Sequence, residues 1–271
     1  MKHGMIKKIA QFLGRKLPFF YGKNKIIRIL YSPDRNLHSG EKFVIDYFGK
    51  KYEGITSNFI DWGVYFYEGL EKSLVNYIKT EISQFQYFFD IGSNSGTISL
   101  PFANEKDLKI ICFEPLEYNY KKLINNYKLN NAYEKHKFHK IALSNKIGDS
   151  YIQFSDVDSN IGSASLNLEF NSNVYNNKEK IILEKLDNLY DFKNKNIFMK
   201  IDVEGHEDKL IDGSIKILKN NKVLMYLETV NENLLDNLKK MNFKVLFPIF
   251  REGEFKFGNK QNSHDLILKN Y

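Results

Sequence analysis

Apolar and polar positions follow two regimes along this chain. Over residues 42–51 and 52–60 they alternate one by one, the period of half-buried strands, with the turn-prone Gly49 between. Residues 61–80 place Tyr67, Leu70, Leu74 and Ile78 on one stripe, which predicts a helix. From Tyr87 onward short apolar runs alternate with amphipathic stretches. Strands are expected at 87–91, 109–114, 137–143, 196–203, 222–227 and 244–248, and helices from near Thr97 and over 118–130, 207–219 and 231–241. Apolar strands alternating with helices of this size call for an α/β fold: a doubly wound, mostly parallel sheet with helices on both faces. That domain is expected over 86–271, after an N-terminal α+β extension over 1–85 that serves the acceptor or an interface. Residues 151–180 interrupt the alternation. They are polar, rich in Ser, Asn and Asp, and hold two short alternating runs, as expected of a hairpin or lid inserted at the sheet's rim.

Composition narrows the function classes. The 271 residues include 40 Lys+Arg against 33 Asp+Glu, a net charge of +7. Only Arg15, Arg28, Arg35 and Arg251 are arginines, and the lysines are dispersed, so a nucleic-acid reader with clustered arginine forks is not expected. The first 28 residues are the exception. Lys7, Lys8, Arg15, Lys16, Lys23, Lys25 and Arg28 stand among Ile6, Ile9, Phe12, Leu13 and Leu17, the pattern of a short basic amphipathic helix. Such a segment packs on its own domain or makes weak contact with an acidic partner or membrane surface. Cys112 is the single cysteine, which excludes an internal disulfide framework and a cysteine zinc cluster. No apolar run approaches the ~18 residues of a transmembrane helix, and no signal-peptide pattern opens the chain, so the cytoplasm is the expected compartment.

The candidate chemistry sits at two strand ends. Asp90-Ile-Gly92-Ser93-Asn94-Ser95-Gly96 follows the first strand of the alternating region, and Glu114 ends the next strand, eighteen residues past Gly96. Glycines there permit positive φ and close approach of backbone, while an acid at that place reads ribose hydroxyls in nucleotide-binding α/β folds. The G-x-G-x-x-G spacing of a dinucleotide site is missing, as is any Gly-Lys-Ser/Thr. A ligand with a ribose and an amino-acid portion but no phosphate suits the turn, and S-adenosylmethionine is such a ligand. The second constellation is Lys200, Asp202, Glu204 and His206. Alternation sets the first three on one face at a strand end, where open α/β sheets bind ligands. Asp202 is the first choice for ordering the acceptor or cofactor and Glu204 the second. His206 is the neighbour with an ordinary pKa near neutrality. No metal-ligand spacing is recognisable, and no metal is expected.

These blocks, in order, resemble the FkbM-type methyltransferases of the class I S-adenosylmethionine-dependent superfamily. The resemblance rests on Phe89 to Gly96, Phe113-Glu-Pro115, Asn125-Asn126, Leu129-Asn-Asn131, Ile141-Ala-Leu-Ser144 with Gly148, Leu186-Asp187, Lys200-Ile-Asp-Val-Glu-Gly205 with Glu207, Gly213 and Leu227-Glu228. Ser93 departs from the family's usual alanine but stays small. It implies a Rossmann-like fold and S-adenosylmethionine as cofactor, with Asp90, Gly92, Ser93, Asn94 and Gly96 cradling the methionine portion, Glu114 and Pro115 at the ribose, and Ala142 and Leu143 bordering the adenine. The implied reaction is O-methylation of a sugar hydroxyl on a glycan, a capsule or lipopolysaccharide precursor, or a nucleotide sugar. Two other classes remain open: a non-catalytic binding or scaffold module, and a nucleotide-sugar enzyme using NAD. The acceptor is a small molecule or glycan, and a homo-oligomer is compatible with the sequence.

Overall fold

In the computed structural model, which describes residues 2–16, 22–32, 40–154, 177–228, 231–251, 254–258 and 265–271, the chain opens with two helices, α1 (Lys2–Lys16) and α2 (Lys23–Leu30). An antiparallel hairpin follows, β1 (Lys42–Tyr47) and β2 (Lys50–Ile55). Phe48 and Gly49 both have positive φ (51° and 77°), the geometry that a two-residue hairpin turn needs.

The helix expected over 61–80 is two helices, α3 (Phe59–Tyr67) and α4 (Lys72–Glu81). Glu68 and Gly69 turn left-handed (φ 66° and 100°), and their amides bond back to Val64 and Gly63, which ends α3. The break leaves Leu70 and Glu71 off the helical stripe and free to face elsewhere.

The remaining elements are β3 (Tyr87–Ile91), β4 (Lys109–Phe113), α5 (Glu117–Leu129), β5 (Lys137–His139), β6 (Ala142–Leu143), β7 (Gly148–Phe154), β8 (Asn177–Glu184), α6 (Leu186–Leu189), β9 (Asn196–Ile201), α7 (Glu207–Asp212), α8 (Ile215–Asn220), β10 (Lys222–Leu227), α9 (Glu232–Lys240), β11 (Lys244–Arg251), β12 (Glu254–Gly258) and β13 (Leu266–Lys269). Eight strands form one sheet in the order β12-β11-β13-β10-β9-β3-β4-β5. The block from β10 to β5 is parallel, and β13, β11 and β12 are antiparallel.

Three further expectations change. No α-helix starts at Thr97: the glycine turn runs into one 3-10 turn, Leu100–Phe102, because Pro101 lacks the N–H that an α-helix would use. The strand expected over 137–143 divides, and β6 leaves the main sheet to pair with β8 in a small sheet of order β6-β8-β7. The helix expected over 207–219 is split at Gly213, where a Cβ would lie 2.0 Å from the Ser144 carbonyl oxygen. Of the polar segment 151–180, β7 and β8 pair antiparallel, and residues 155–176 lie outside the described residues.

Strand alternation explains the two cores. Phe88, Ile110, Cys112, Phe198 and Leu224 face one side, against Leu74, Ile78, Leu123 and Tyr127. Phe89, Ile111, Met199 and Met225 face the other, against Leu210, Ile217, Leu234 and Leu238. Tyr47, Tyr52 and Val64 join the first core, so the hairpin and α3 are fastened to the sheet rather than tethered beside it. A smaller cluster of Ala10, Ile27, Tyr31, Trp62 and Phe66 docks α1 and α2 on α3.

Candidate active site

The turn after β3 is held by its own backbone and by the next strand. Gly92 and Ser93 N–H both donate to the Phe113 carbonyl at 3.0 Å, and the Ser93 hydroxyl donates to the Asp90 carbonyl at 2.6 Å. Glu114 completes the cradle: its Oε2 accepts from Asn94 N–H (2.8 Å) and its Oε1 from Leu116 N–H (3.0 Å). Burial pushes Glu114 up to about 7 even though those amides, Lys200 and Asn119 favour the carboxylate. The glycines have distinct reasons. A Cβ on Gly92 would lie 1.8 Å from the Asp202 carbonyl oxygen, and one on Gly96 would lie 2.8 Å from Leu123 Cδ1. Gly92 thus admits the end of β9, and Gly96 admits α5.

Asp90 lies beneath this turn, fully buried. Among the described residues neither carboxyl oxygen has a hydrogen-bond partner; Ser99 is close enough to ease the charge without reaching bonding geometry. Lys200 Nζ stands 4.0 Å away. Burial raises the Asp90 pKa and Lys200 opposes the rise.

Asp90, Lys200 and Tyr226 form a row across β3, β9 and β10 on one face of the sheet. Lys200 Nζ donates to the Gly92 carbonyl (2.8 Å) and pairs with Asp202 Oδ2 (3.1 Å). Burial works against its charge, but Asp202, Asp90 and Glu71 outweigh burial and hold the ammonium. Asp202 and Glu228 each follow the last residue of adjacent parallel strands, whose ends Ile201 and Leu227 are paired. Burial and the neighbouring Asp202 carboxylate push Glu228 up to about 9, with Lys200 opposing. Glu71, set at the α3–α4 break, is pushed up to about 7 by burial, with Lys200 opposing and Asp202, Asp90 and Asp265 adding to the rise.

A cavity of about 320 Å³ opens between these groups, within the range of small-molecule sites. Gly92, Ser93, Asn94, Glu114, Pro115, Ala142 and Leu143 line one part of it, and Lys200, Asp202 and Glu204 another. Three expected site residues are elsewhere. Asp90 is below the floor, and Gly96 faces α5. His206 is buried away from the lining, with Nε2 3.0 Å from the Ser144 hydroxyl; burial and then Lys209 and Lys146 push its pKa down to about 4. Glu204 reaches the lining by a different route from strand alternation. The strand ends at Ile201, and Glu204 and Gly205 (φ 51° and 90°) form a turn that Glu207 holds through Gly205 N–H at 3.2 Å. Among the described residues no group of His, Cys, Asp and Glu is placed to hold a metal.

Sequence reasoning missed Glu71, Tyr226 and the role of Glu228 in this lining; Asp265, which the sequence sets on a late strand without fixing its place, lines the same cavity. Tyr226 and Glu228 repeat on β10 the spacing of Lys200 and Asp202 on β9, a signal that was available. Glu71 had none, because it depends on where α3 stops.

Residues 90–256 match the family described as Methyltransferase FkbM domain, which is more than half of the chain. No curated protein matches the sequence. Distant structural likenesses include an S-adenosylmethionine-dependent O-methyltransferase from Thermotoga maritima (10% identity, 72% of this chain, 63% of that chain, TM-score 0.38). Others are a tRNA (uracil-54, C5)-methyltransferase from Pyrococcus abyssi in complex with S-adenosyl-L-homocysteine (11%, 84%, 44%, TM-score 0.45) and a precorrin-6y C5,15-methyltransferase from Geobacter metallireducens (12%, 73%, 84%, TM-score 0.40). The chain therefore spans less than two thirds of the first two, 63% and 44% of their lengths. Nothing about the acceptor rests on these likenesses.

Proposed function

The chain belongs to the FkbM methyltransferase family, and from that premise we propose that it transfers the methyl group of S-adenosylmethionine to a sugar hydroxyl on a glycan, glycan precursor or nucleotide sugar. The cofactor fits the residues present. A turn open to the cavity at Gly92–Asn94, a carboxyl at Glu114 with lone pairs beyond its two amide bonds, and a cavity edged by acids suit a ligand bearing an ammonium, a sulfonium and a ribose diol. Pro115, Ile141, Ala142 and Leu143 offer the apolar walls that an adenine needs.

When bound, S-adenosylmethionine supplies an electrophilic methyl carbon. The chain's contribution is position and proton handling. The Gly92–Asn94 turn, with Asp90 and Lys200 beneath it, would hold the methionine end, and Glu114 would accept from the ribose hydroxyls. Lys200 ties the turn to the acid side by bonding both the Gly92 carbonyl and Asp202. On that side Asp202 and Glu228 would orient the acceptor hydroxyl, and Asp202 would take its proton as the new C–O bond forms. The observation that carries this reading is the juxtaposition, within one cavity, of the Glu114-braced turn and the Lys200–Asp202–Glu228 set. The β7–β8 hairpin contributes Ile152 to the same cavity, packed beside Leu116 and Ala142 on the side proposed for the adenine.

Incubation with methyl-labelled S-adenosylmethionine and a panel of nucleotide sugars and glycan extracts tests the proposal. Label is expected in a base-stable methyl ether on a sugar. Label confined to amines, to base-labile esters or to RNA would overturn the acceptor assignment, and S-adenosylmethionine binding without transfer to any of them would favour a binding module.

A further inference from the structure

We propose that α1 and α2 form a cationic, amphipathic surface that holds this protein on an anionic lipid bilayer. The inference is independent of the acceptor and rests on three observations.

Charge is segregated along the chain. The first 33 residues contain eight Lys and Arg and no Asp or Glu, while the rest holds 32 basic against 33 acidic residues. The net charge of +7 therefore resides in the segment that carries α1 and α2.

The pose of these helices is set by their buried side. Ala10 and Ile27 are fully buried with Trp62 and Phe66 of α3. Gly14 sits so close that a Cβ would come within 2.0 Å of the Phe66 carbonyl oxygen. Arg15 donates to the Tyr65 and Val64 carbonyls at 2.9 and 2.7 Å, and Lys7 pairs inward with Glu41.

The outward side is apolar as well as basic. Met5, Ile9 and Phe12 are 61%, 46% and 59% exposed at i, i+4 and i+7, a single helical stripe, with exposed Lys8 and Lys16 on the same side. On α2, Ile26 and Ile29 are exposed beside Lys25. A merely solvated basic face has no use for five large exposed hydrophobes, and a nucleic-acid face would favour arginine. A bilayer interface takes both at once, with the apolar stripe entering the acyl boundary while lysines meet anionic headgroups. The helix α3 that carries both also places Ile60 on the cavity wall, so the lipid-facing surface and the site share one scaffold.

Flotation of the full chain with vesicles of phosphatidylcholine alone, and of phosphatidylcholine mixed with phosphatidylserine, tests this. Binding is expected to the mixed vesicles only, weakening at least about tenfold as salt rises from about 0.02 M to about 0.3 M. The triple variant Lys8→Gln/Lys16→Gln/Lys25→Gln should bind on the order of a hundredfold more weakly, about fivefold per lysine. Ile9→Ser/Phe12→Ser should abolish flotation with the far-UV helical signal intact; if that signal falls, the lysine variant decides alone. Absent binding to anionic vesicles, or equal binding by the lysine variant, would overturn the proposal. So would lipid-free self-association of the wild type that Ile9→Ser/Phe12→Ser dissolves, which would give the face to a second copy.

Discussion

Asp202 and Glu228 leave neighbouring parallel strands at the same level, and both stand on the wall of one cavity. Two carboxyl groups so placed share one proton. Glu228, pushed up to about 9 by burial and by Asp202, holds it at neutral pH. An amide at 228 imitates that protonated group, whereas an amide at 202 removes the proposed proton acceptor. At pH 7 Asp202→Asn should lower turnover at least about a hundredfold, and Glu228→Gln less than about tenfold. Label transfer together with melting temperature separates chemistry from folding. Equal losses would make Glu228 the base.

The same displaced group links stability to pH. As pH rises through 4.5 toward about 9, the unfolded chain gives up the Glu228 proton and the folded chain keeps it. The folded state then binds more protons, so stability falls with pH over that window. Glu228→Gln removes this titration. Its melting temperature should gain on the wild type progressively between pH 5 and pH 9, while Glu71, Glu114 and Glu204, all pushed up to about 7, keep contributing to the slope of both proteins. A gap that stays constant with pH would show that Glu228 titrates alike in both states.

Cofactor affinity should carry its own pH signature. Burial pushes Glu114 up to about 7, so below that value the group that would accept the ribose hydroxyls is largely protonated. S-adenosylmethionine affinity measured by titration calorimetry should rise with pH through about 7. Glu114→Gln should weaken binding by about 2 kcal/mol and flatten that limb, while Glu71→Gln should leave it in place. Because Glu114 also braces Asn94 and Leu116, the variant should lose some stability too. Unchanged affinity in Glu114→Gln would remove the residue from the cofactor site.

How much of this could be read from residues alone varies with the physics involved. The alternation of Phe88 with Phe89 and of Ile110 with Ile111 already specifies a strand buried on both faces, and the sheet follows from it. The glycine turn and Glu114 were equally plain, since a strand end followed by glycines has few uses. What escaped were properties set at a distance. The end of α3 depends on two left-handed residues, Glu68 and Gly69, and only that break delivers Glu71 to the cavity. The α7–α8 joint depends on the Ser144 carbonyl, 69 residues before Gly213. Periodicity carries no trace of either.

Glycine roles can be told apart by substitution. Gly92 has φ 72°, and an added Cβ would strike the Asp202 carbonyl oxygen at 1.8 Å, a backbone atom that cannot rotate aside. Gly92→Ala should cost at least about 3 kcal/mol, because the β3–β9 junction must open. Gly205 has φ 90° but, among the described residues, nothing within 4 Å of an added Cβ. Gly205→Ala should cost about 1 kcal/mol, the backbone strain alone. Denaturant unfolding of both variants measures the difference. Similar costs would mean that φ rather than contact governs Gly92.

His206 is chemically the most tempting base, and the geometry argues against it. It lies off the cavity lining, bonds to the Ser144 hydroxyl at 3.0 Å, and burial pushes its pKa down to about 4. A group neutral across pH 5–8 cannot produce a rate limb near neutrality. His206→Ala should therefore change turnover less than tenfold and leave the pH–rate profile above pH 5 in place, while costing about 1–2 kcal/mol for the lost bond and packing. Stability should also respond in the acid range. Between pH 6.5 and about 4 the unfolded chain takes up a proton on this imidazole that the folded chain refuses, so stability falls as pH falls through that window. The variant should show a shallower decline there; His136, also pushed down to about 4, keeps part of it. A neutral-pH limb that disappeared in His206→Ala would return the histidine to the chemistry and displace Asp202.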